Sequence, residues 1–204
     1  METIEFKKTY RAYYTPKPAQ PEIITLPAMK FLMVDGQGDP NTSQQFQDAI
    51  GAIYPVVFGI KFAHKKAGVG PDYTLGPLEA LWWTKAGQTF ASSSKQDWLW
   101  TVMMWVPDFI TSKEVKQFTA LAKQKKPNPA LDKLRLEVFD EGTVVQLMHI
   151  GPYGDEQPNI ERMHAFAEQA GYKLRGKHHE IYLGDPRRAA PEKLRTILRQ
   201  PITR

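Results

Sequence analysis

Nine residues near the C-terminal end, His178 to Pro186 (HHEIYLGDP), concentrate side chains that can do acid–base chemistry. Glu180, Ile181, Tyr182 and Leu183 read as a strand, and Gly184, Asp185 and Pro186 stop it. Strand alternation puts His178, Glu180 and Tyr182 on one face and His179, Ile181 and Leu183 on the other. A carboxylate between a histidine and a tyrosine on an otherwise apolar strand must find partners or shift its pKa if it is buried. The same pattern also fits a strand at the sheet surface with its polar face in water.

The elements that position this strand follow from periodicity. Residues 1–22, with Pro16, Pro18 and Pro21, read as an extended N-terminal arm. Ile23 to Val34 is strand-like, interrupted by Pro27, and a turn follows at Asp35 to Gly38. Asn41, Thr42 or Ser43 can cap a helix whose apolar positions Phe46, Ile50, Ile53, Val57 and Ile60 recur every three or four residues. Pro55 predicts a kink in it. Strands are expected from Tyr73 to Trp83 and from Trp98 to Val106, joined by a Ser-rich loop from Ala86 to Asp97. A second helix starts at Thr111 or Ser112, with Val115, Phe118 and Leu121 inward, and Lys125 to Pro129 reads as a linker. Leu134 to Phe139 and Thr143 to Ile150 read as a hairpin, and Gln157 to Ala170 as a helix with Ile160, Met163, Phe166 and Ala167 inward. A last strand runs from Leu194 to Pro201.

The two halves repeat one order: strand, glycine turn, helix, strand, strand. FLMVDGQG parallels QLMHIGPYG, and PLEALWW parallels HHEIYLG. The expectation is an α+β fold of duplicated strand-helix-strand-strand units, 23–126 and 130–204. Their curved antiparallel sheet would carry helices on one face and a ligand groove on the other. The repeat sets Glu79 opposite Glu180. Glu79, Leu81 and Trp83 would then face the groove from one half, and Glu180 and Tyr182 from the other.

Paired carboxylates in an apolar cleft can divide into a protonated acid and an ionised base. They would also attract a flat cation stacked on aromatic rings. Either glutamate could instead pair with Arg195 or Arg199. Met103 and Trp105 share a strand face apart from the core set Trp98, Trp100, Val102 and Met104, and are the pocket candidates. His149 and His178 read as hydrogen bonders of the groove or strand edge, and Tyr153 as a turn residue overhanging the groove. No metal is expected: there is no cysteine, and the histidines lack ligand spacing. Glycine-rich phosphate loops and the Gly-x-Ser-x-Gly elbow are absent, and no cofactor is expected.

At 204 residues, 42% hydrophobic and 24% charged, the chain is an ordinary globular protein with enough length for a substantial core. The net charge is +5, but the lysines and arginines are spread out and no nucleic-acid motif appears, so no nucleic-acid partner is expected. No apolar run approaches a membrane span, so no membrane partner is expected. The N-terminal residues lack a secretory h-region, which with the lack of cysteine predicts a cytoplasmic location. A protein partner is not indicated.

The segments YTLGPLEALWW from Tyr73, TVMMWVPDF from Thr101, VQLMHIGPYGDE from Val145 and HHEIYLGDPRRAAPEKLRTILRQP from His178 resemble the gyrase-inhibitor-like (GyrI-like) small-molecule-binding family. The resemblance runs from about Ile23 to Pro201 and is strongest to the stand-alone branch. It implies the duplicated fold and an amphipathic, often cationic aromatic ligand, with Glu180 at the family's binding glutamate. In the stand-alone branch it implies hydrolysis of the strained cyclopropane of DNA-alkylating toxins such as yatakemycin. Glu79 and Glu180 match acidic positions there; at Trp105 some relatives carry a polar residue, which bears on substrate choice. The expectation is a resistance hydrolase with Glu180, Glu79 and Tyr182 catalytic. Trp83, Met103, Trp105, His149, Tyr153, His178 and Leu81 would line the ligand. The alternatives are a non-catalytic binder or sensor of amphipathic cationic aromatic drugs, and a protein that binds a protein partner.

Overall fold

The structure is a computed structural model and describes residues 3–86, 90 and 92–204. The loop expected from Ala86 to Asp97 lies partly outside these. In chain order the elements begin with β1 (Thr3–Ile4), α1 (Phe6–Thr9), α2 (Arg11–Tyr14), β2 (Glu22–Thr25), β3 (Met29–Gln37) and α3 (Gln44–Ala67). Next come β4 (Asp72–Tyr73), β5 (Leu78–Trp83), β6 (Leu99–Trp105), α4 (Ser112–Lys125) and β7 (Arg135–Phe139). The chain closes with β8 (Thr143–Ile150), α5 (Gln157–Gln169), β9 (Lys173–Leu174), β10 (His178–Tyr182) and β11 (Arg195–Thr203). The protein is α+β, with antiparallel sheet and packed helices.

Two compact units form, and both are discontinuous in sequence. In their described residues, unit 1 comprises Met1–Thr9, Met29–Gly76 and Trp82–Phe139, and unit 2 comprises Tyr10–Ala28, Pro77–Leu81 and Asp140–Arg204. Strand β5 therefore begins in unit 2 and ends in unit 1.

In unit 1 the strand order is β6-β3-β7, antiparallel throughout. Helix α3 starts where Ser43 accepts the Phe46 amide and ends at left-handed Gly68. Pro55 lies within this one continuous helix. Phe46 stacks on Trp82 (centroids 5.7 Å apart) and meets Trp100 edge-on at 5.1 Å. Gly36 is required opposite Trp100, because a Cβ there would lie 2.1 Å from the indole. Helix α4 carries a capping box between Thr111 and Glu114. Its Val115 is buried as expected, but Leu121, expected inward, is 40% exposed.

In unit 2 the order is β2-β8-β11-β10-β5, with β9 on the end of β11. Val145, Leu147, Leu198 and Ile202 form one face, packed under Met163 and Ala167 of α5. The opposite face is not an open groove. Tyr13 and Tyr14, from the stretch expected to be an extended arm, form a short helix that caps it through Arg199. The expected hairpin of β7 and β8 is also absent: β7 pairs with β3, and β8 with β11 and β2. Asp140 to Gly142 passes the chain from one unit to the other, so adjacency in sequence does not become pairing.

Candidate functional site

The register of β10 on β11 decides which side chains can act together. His179 lies opposite Arg199, Glu180 opposite Leu198 and Tyr182 opposite Thr196. On β8, Gln146 pairs with Arg199, Leu147 with Leu198 and His149 with Thr196. Glu180 and Tyr182 therefore lie on the α5 face with Leu198, Thr196 and His149, not on the helix-free groove face expected for them, while His179 shares the other face with Arg199 and Gln146.

That second face holds a closed buried network. His179 Nε2 is 2.9 Å from Glu79 Oε2, and its Nδ1 is 3.0 Å from both Glu141 oxygens. Tyr14 donates its hydroxyl to Glu79 at 2.9 Å. Arg199 donates to Gln146 at 2.9 Å, to Glu141 at 3.4 Å and to the Tyr13 carbonyl at 2.7 Å. Gln146 in turn donates to Glu22 at 2.9 Å. Both imidazole nitrogens face carboxylates, an arrangement satisfied by an imidazolium donating twice. Burial alone would lower the His179 pKa, but Glu141 and then Glu79 hold it above its ordinary value. Burial alone would raise Glu141, but His179 and then Arg199 hold it below. Two cations and two carboxylates cancel, which makes full burial tolerable. Glu79 is wholly buried and engaged with Tyr14 and His179, on the face opposite Glu180.

The carboxyl group beside Glu180 is Glu156, which no sequence signal singles out. It precedes α5 in the GPYGDE turn, where an acid is an ordinary helix-start residue. Here it is 5% exposed, its Oε1 has no hydrogen-bond partner, and it makes no capping bond. Burial, then the negative charge of Glu180, push its pKa up to about 9. Tyr182 donates to Glu180 Oε2 at 2.7 Å, and Tyr153 packs edge-on against Tyr182 at 5.6 Å. His178 Nε2 approaches Glu180 Oε1 at 3.6 Å, too far for a hydrogen bond. Among the described residues both nitrogens of His178 and Nε2 of His164 are buried without hydrogen-bond partners, and the Thr196 hydroxyl lies against Glu156. Native interiors rarely leave several such groups unpaired, which makes this cluster the candidate site.

Of the other expected ligand residues, Tyr153 borders this cluster. His149 is spent on structure, with Nε2 3.0 Å from the Pro152 carbonyl and Nδ1 2.8 Å from the Asn159 amide. Tyr153 is 38% exposed beside Glu180 and Glu156. Leu81 is buried. In unit 1, Met103 is buried and Trp105 packs on Phe6 at 5.1 Å and Tyr73 at 6.4 Å, while Trp83 is half-buried. Among the described residues no group of three or more potential metal ligands exists.

Residues 19–202 match the sequence model of the GyrI-like small molecule binding domain. The chain belongs to the GyrI-like family. Among solved structures, this GyrI-like protein is similar to an uncharacterised conserved protein from Listeria innocua, with 38% identity and a TM-score of 0.90 over 98% of this chain and 100% of that one. A structure described as a hydrolase from Listeria innocua is 38% identical, with a TM-score of 0.85 over 98% of this chain and 100% of that one. A hydrolase encoded by lin2189 from Listeria innocua is 37% identical, with a TM-score of 0.87 over 99% and 100%. No curated protein matches the chain significantly. As a GyrI-like domain, the protein binds small molecules.

Proposed function

We propose that this GyrI-like protein hydrolyses hydrophobic aromatic molecules carrying a cyclopropane conjugated to a dienone, the cyclopropanoid DNA-alkylating toxins. The observation that carries this reading is the carboxyl pair on the α5 face: Glu156 held protonated next to Glu180, which accepts the Tyr182 hydroxyl. A buried carboxyl that keeps its proton supplies the acid, and the neighbouring Glu180 carboxyl is assigned the base. Water adds to a cyclopropane carbon, and the ring C–C bond breaks. Its electron pair passes into the dienone, which becomes a phenol. Glu180 takes the water proton, and Glu156 gives its proton to the dienone oxygen. Proton exchange with solvent then restores both groups. The hydrolase descriptions of the Listeria structures support a hydrolytic reading without naming a substrate.

The second reading is a non-catalytic binder of amphipathic cationic aromatics, favoured by the tyrosine rings beside the Glu180 charge. Glu180→Gln separates the two. A hydrolase loses turnover of a cyclopropanoid substrate by on the order of 10²–10⁴, with little change in affinity for a neutral aromatic ligand. A binder instead loses affinity for a cationic dye only. Unchanged product formation and unchanged affinities for both ligands would place Glu180 outside the site.

A further inference from the structure

The outer surface of the unit 1 helices carries an aromatic ladder that the small-molecule site does not use. Tyr54, Phe58 and Phe62 follow one another at four-residue spacing on α3. Their rings stack at 6.1 and 5.8 Å with interplanar angles of 21° and 14°. Phe58 is 40% exposed and Phe62 57%. Helix α4 lies alongside, with Phe118 seated on Gly59, and exposed Leu121 follows one turn later. Val69, just past the end of α3, is exposed too. Clustered exposed apolar side chains of this kind mark an interaction surface.

The charge is as unevenly placed as the rings. Together α3 and α4 hold seven lysines against Asp48 and Glu114, a net +5. That equals the net charge of the whole chain, so the remaining residues balance to zero. Lys66, Lys113, Lys116 and Lys125 are exposed and make no ion pair among the described residues. Lys61 and Lys65 reach Asp72, and Lys123 reaches Asp132.

We infer that this face of α3 and α4 docks on an anionic lipid surface. Exposed phenylalanine and leucine side chains, on helices that also carry exposed unpaired lysines, are what an interfacial helix offers to the headgroup and acyl boundary. Each lysine brought near an anionic leaflet strengthens binding about fivefold. Stacking on single-stranded nucleic acid is disfavoured, because the ladder rings already cover one another's faces. The contact is peripheral: no helix among the described residues is long and apolar enough to cross a membrane. The sequence expectation of no membrane partner rested on that lack of a spanning run, which bears on insertion and not on docking.

Sedimentation of the full chain with vesicles tests this. Phosphatidylcholine vesicles serve as the neutral surface, and an equimolar mixture with phosphatidylglycerol as the anionic one. The wild type should bind the mixed vesicles, release on raising salt, and ignore the neutral ones. The double variant Phe58→Ser, Phe62→Ser and the quadruple variant Lys66→Gln, Lys113→Gln, Lys116→Gln, Lys125→Gln should each bind at least about tenfold more weakly. All six side chains are solvent-accessible, so thermal melts should match wild type; if one variant fails to fold, the other still decides. No binding to mixed vesicles, equal binding to neutral ones, or unchanged binding in both variants would overturn the inference. So would a vesicle-independent complex with single-stranded DNA that survives Phe58→Ser, Phe62→Ser.

Discussion

Glu156 is neutral when protonated, and the fold accepts it best in that form. Its folded pKa of about 9 lies above the ordinary 4.5. A raised pKa means that the folded chain holds this proton more tightly than the unfolded one. The stability this group contributes is complete below about pH 4.5 and is lost as pH rises toward 9, at about 1.4 kcal/mol per pH unit. Glu156→Gln removes the titration and keeps the shape. It should melt above wild type at pH 8, match it at pH 4, and lose turnover for want of a proton donor. Parallel pH–stability curves for the two proteins would show that Glu156 titrates normally. The helix start beneath Glu156 favours its charged form, but burial and the Glu180 charge outweigh that effect.

At the scale of elements, the network of Glu79, His179, Glu141 and Arg199 joins α2 to three strands of unit 2. Glu141 is the hinge of this arrangement, because it contacts both cations. Glu141→Gln should destabilise the protein by about 3–5 kcal/mol, the range for leaving buried charge uncompensated. The pH dependence is opposite in sign to that of Glu156. A depressed carboxyl pKa contributes stability above its ordinary value of 4.5 that is lost as pH falls. His179, raised above its ordinary 6.5, loses its contribution as pH rises. Urea unfolding of Glu141→Gln should therefore show a flatter acid limb than wild type. A loss under about 1 kcal/mol would mean that the network does not hold α2 in place.

For the molecule as a whole, the chemistry proposed uses only side chains of this chain. Among the described residues no cluster of three potential metal ligands exists, and the polar groups around Glu180 are carboxyls, phenols and imidazoles without ligand geometry. Extensive treatment with a chelator should leave product formation and ligand affinity unchanged. Loss of activity on chelation, restored by zinc, would refute a metal-independent mechanism. The charge distribution acts at this scale too: α3 and α4 together carry a net +5, so the carboxyl pair proposed as acid and base lies in the part of the chain whose formal charges balance.

What the sequence determined by itself is what depends on local period and chemistry. The three-and-four spacing of Phe46 to Ile60 makes α3, Ser43 caps it, and Met163 and Ala167 turn inward on α5 as their spacing requires. Glu180 was legible as the residue to explain, because an acid between His178 and Tyr182 violates the apolar pattern around it. The pairing of Glu79 with Glu180 was legible only as an alignment of two similar strings, and tertiary register decided against it. Side chains alternate with period two, so a one-residue slip in comparing PLEALWW with HHEIYLG moves every side chain to the other face. The structure accordingly sets Glu79 with His179 and leaves Glu156 beside Glu180. Tertiary packing also set Leu121 outward, since Gly59 admits Phe118 as the contact of α4 on α3 and spacing alone cannot rank the two. It likewise drew α2 onto the unit 2 sheet, because the Arg199 guanidinium needs the Tyr13 carbonyl, 186 residues away in the chain. No local pattern records a contact between groups so far apart in sequence; only the folded chain brings them within hydrogen-bonding distance.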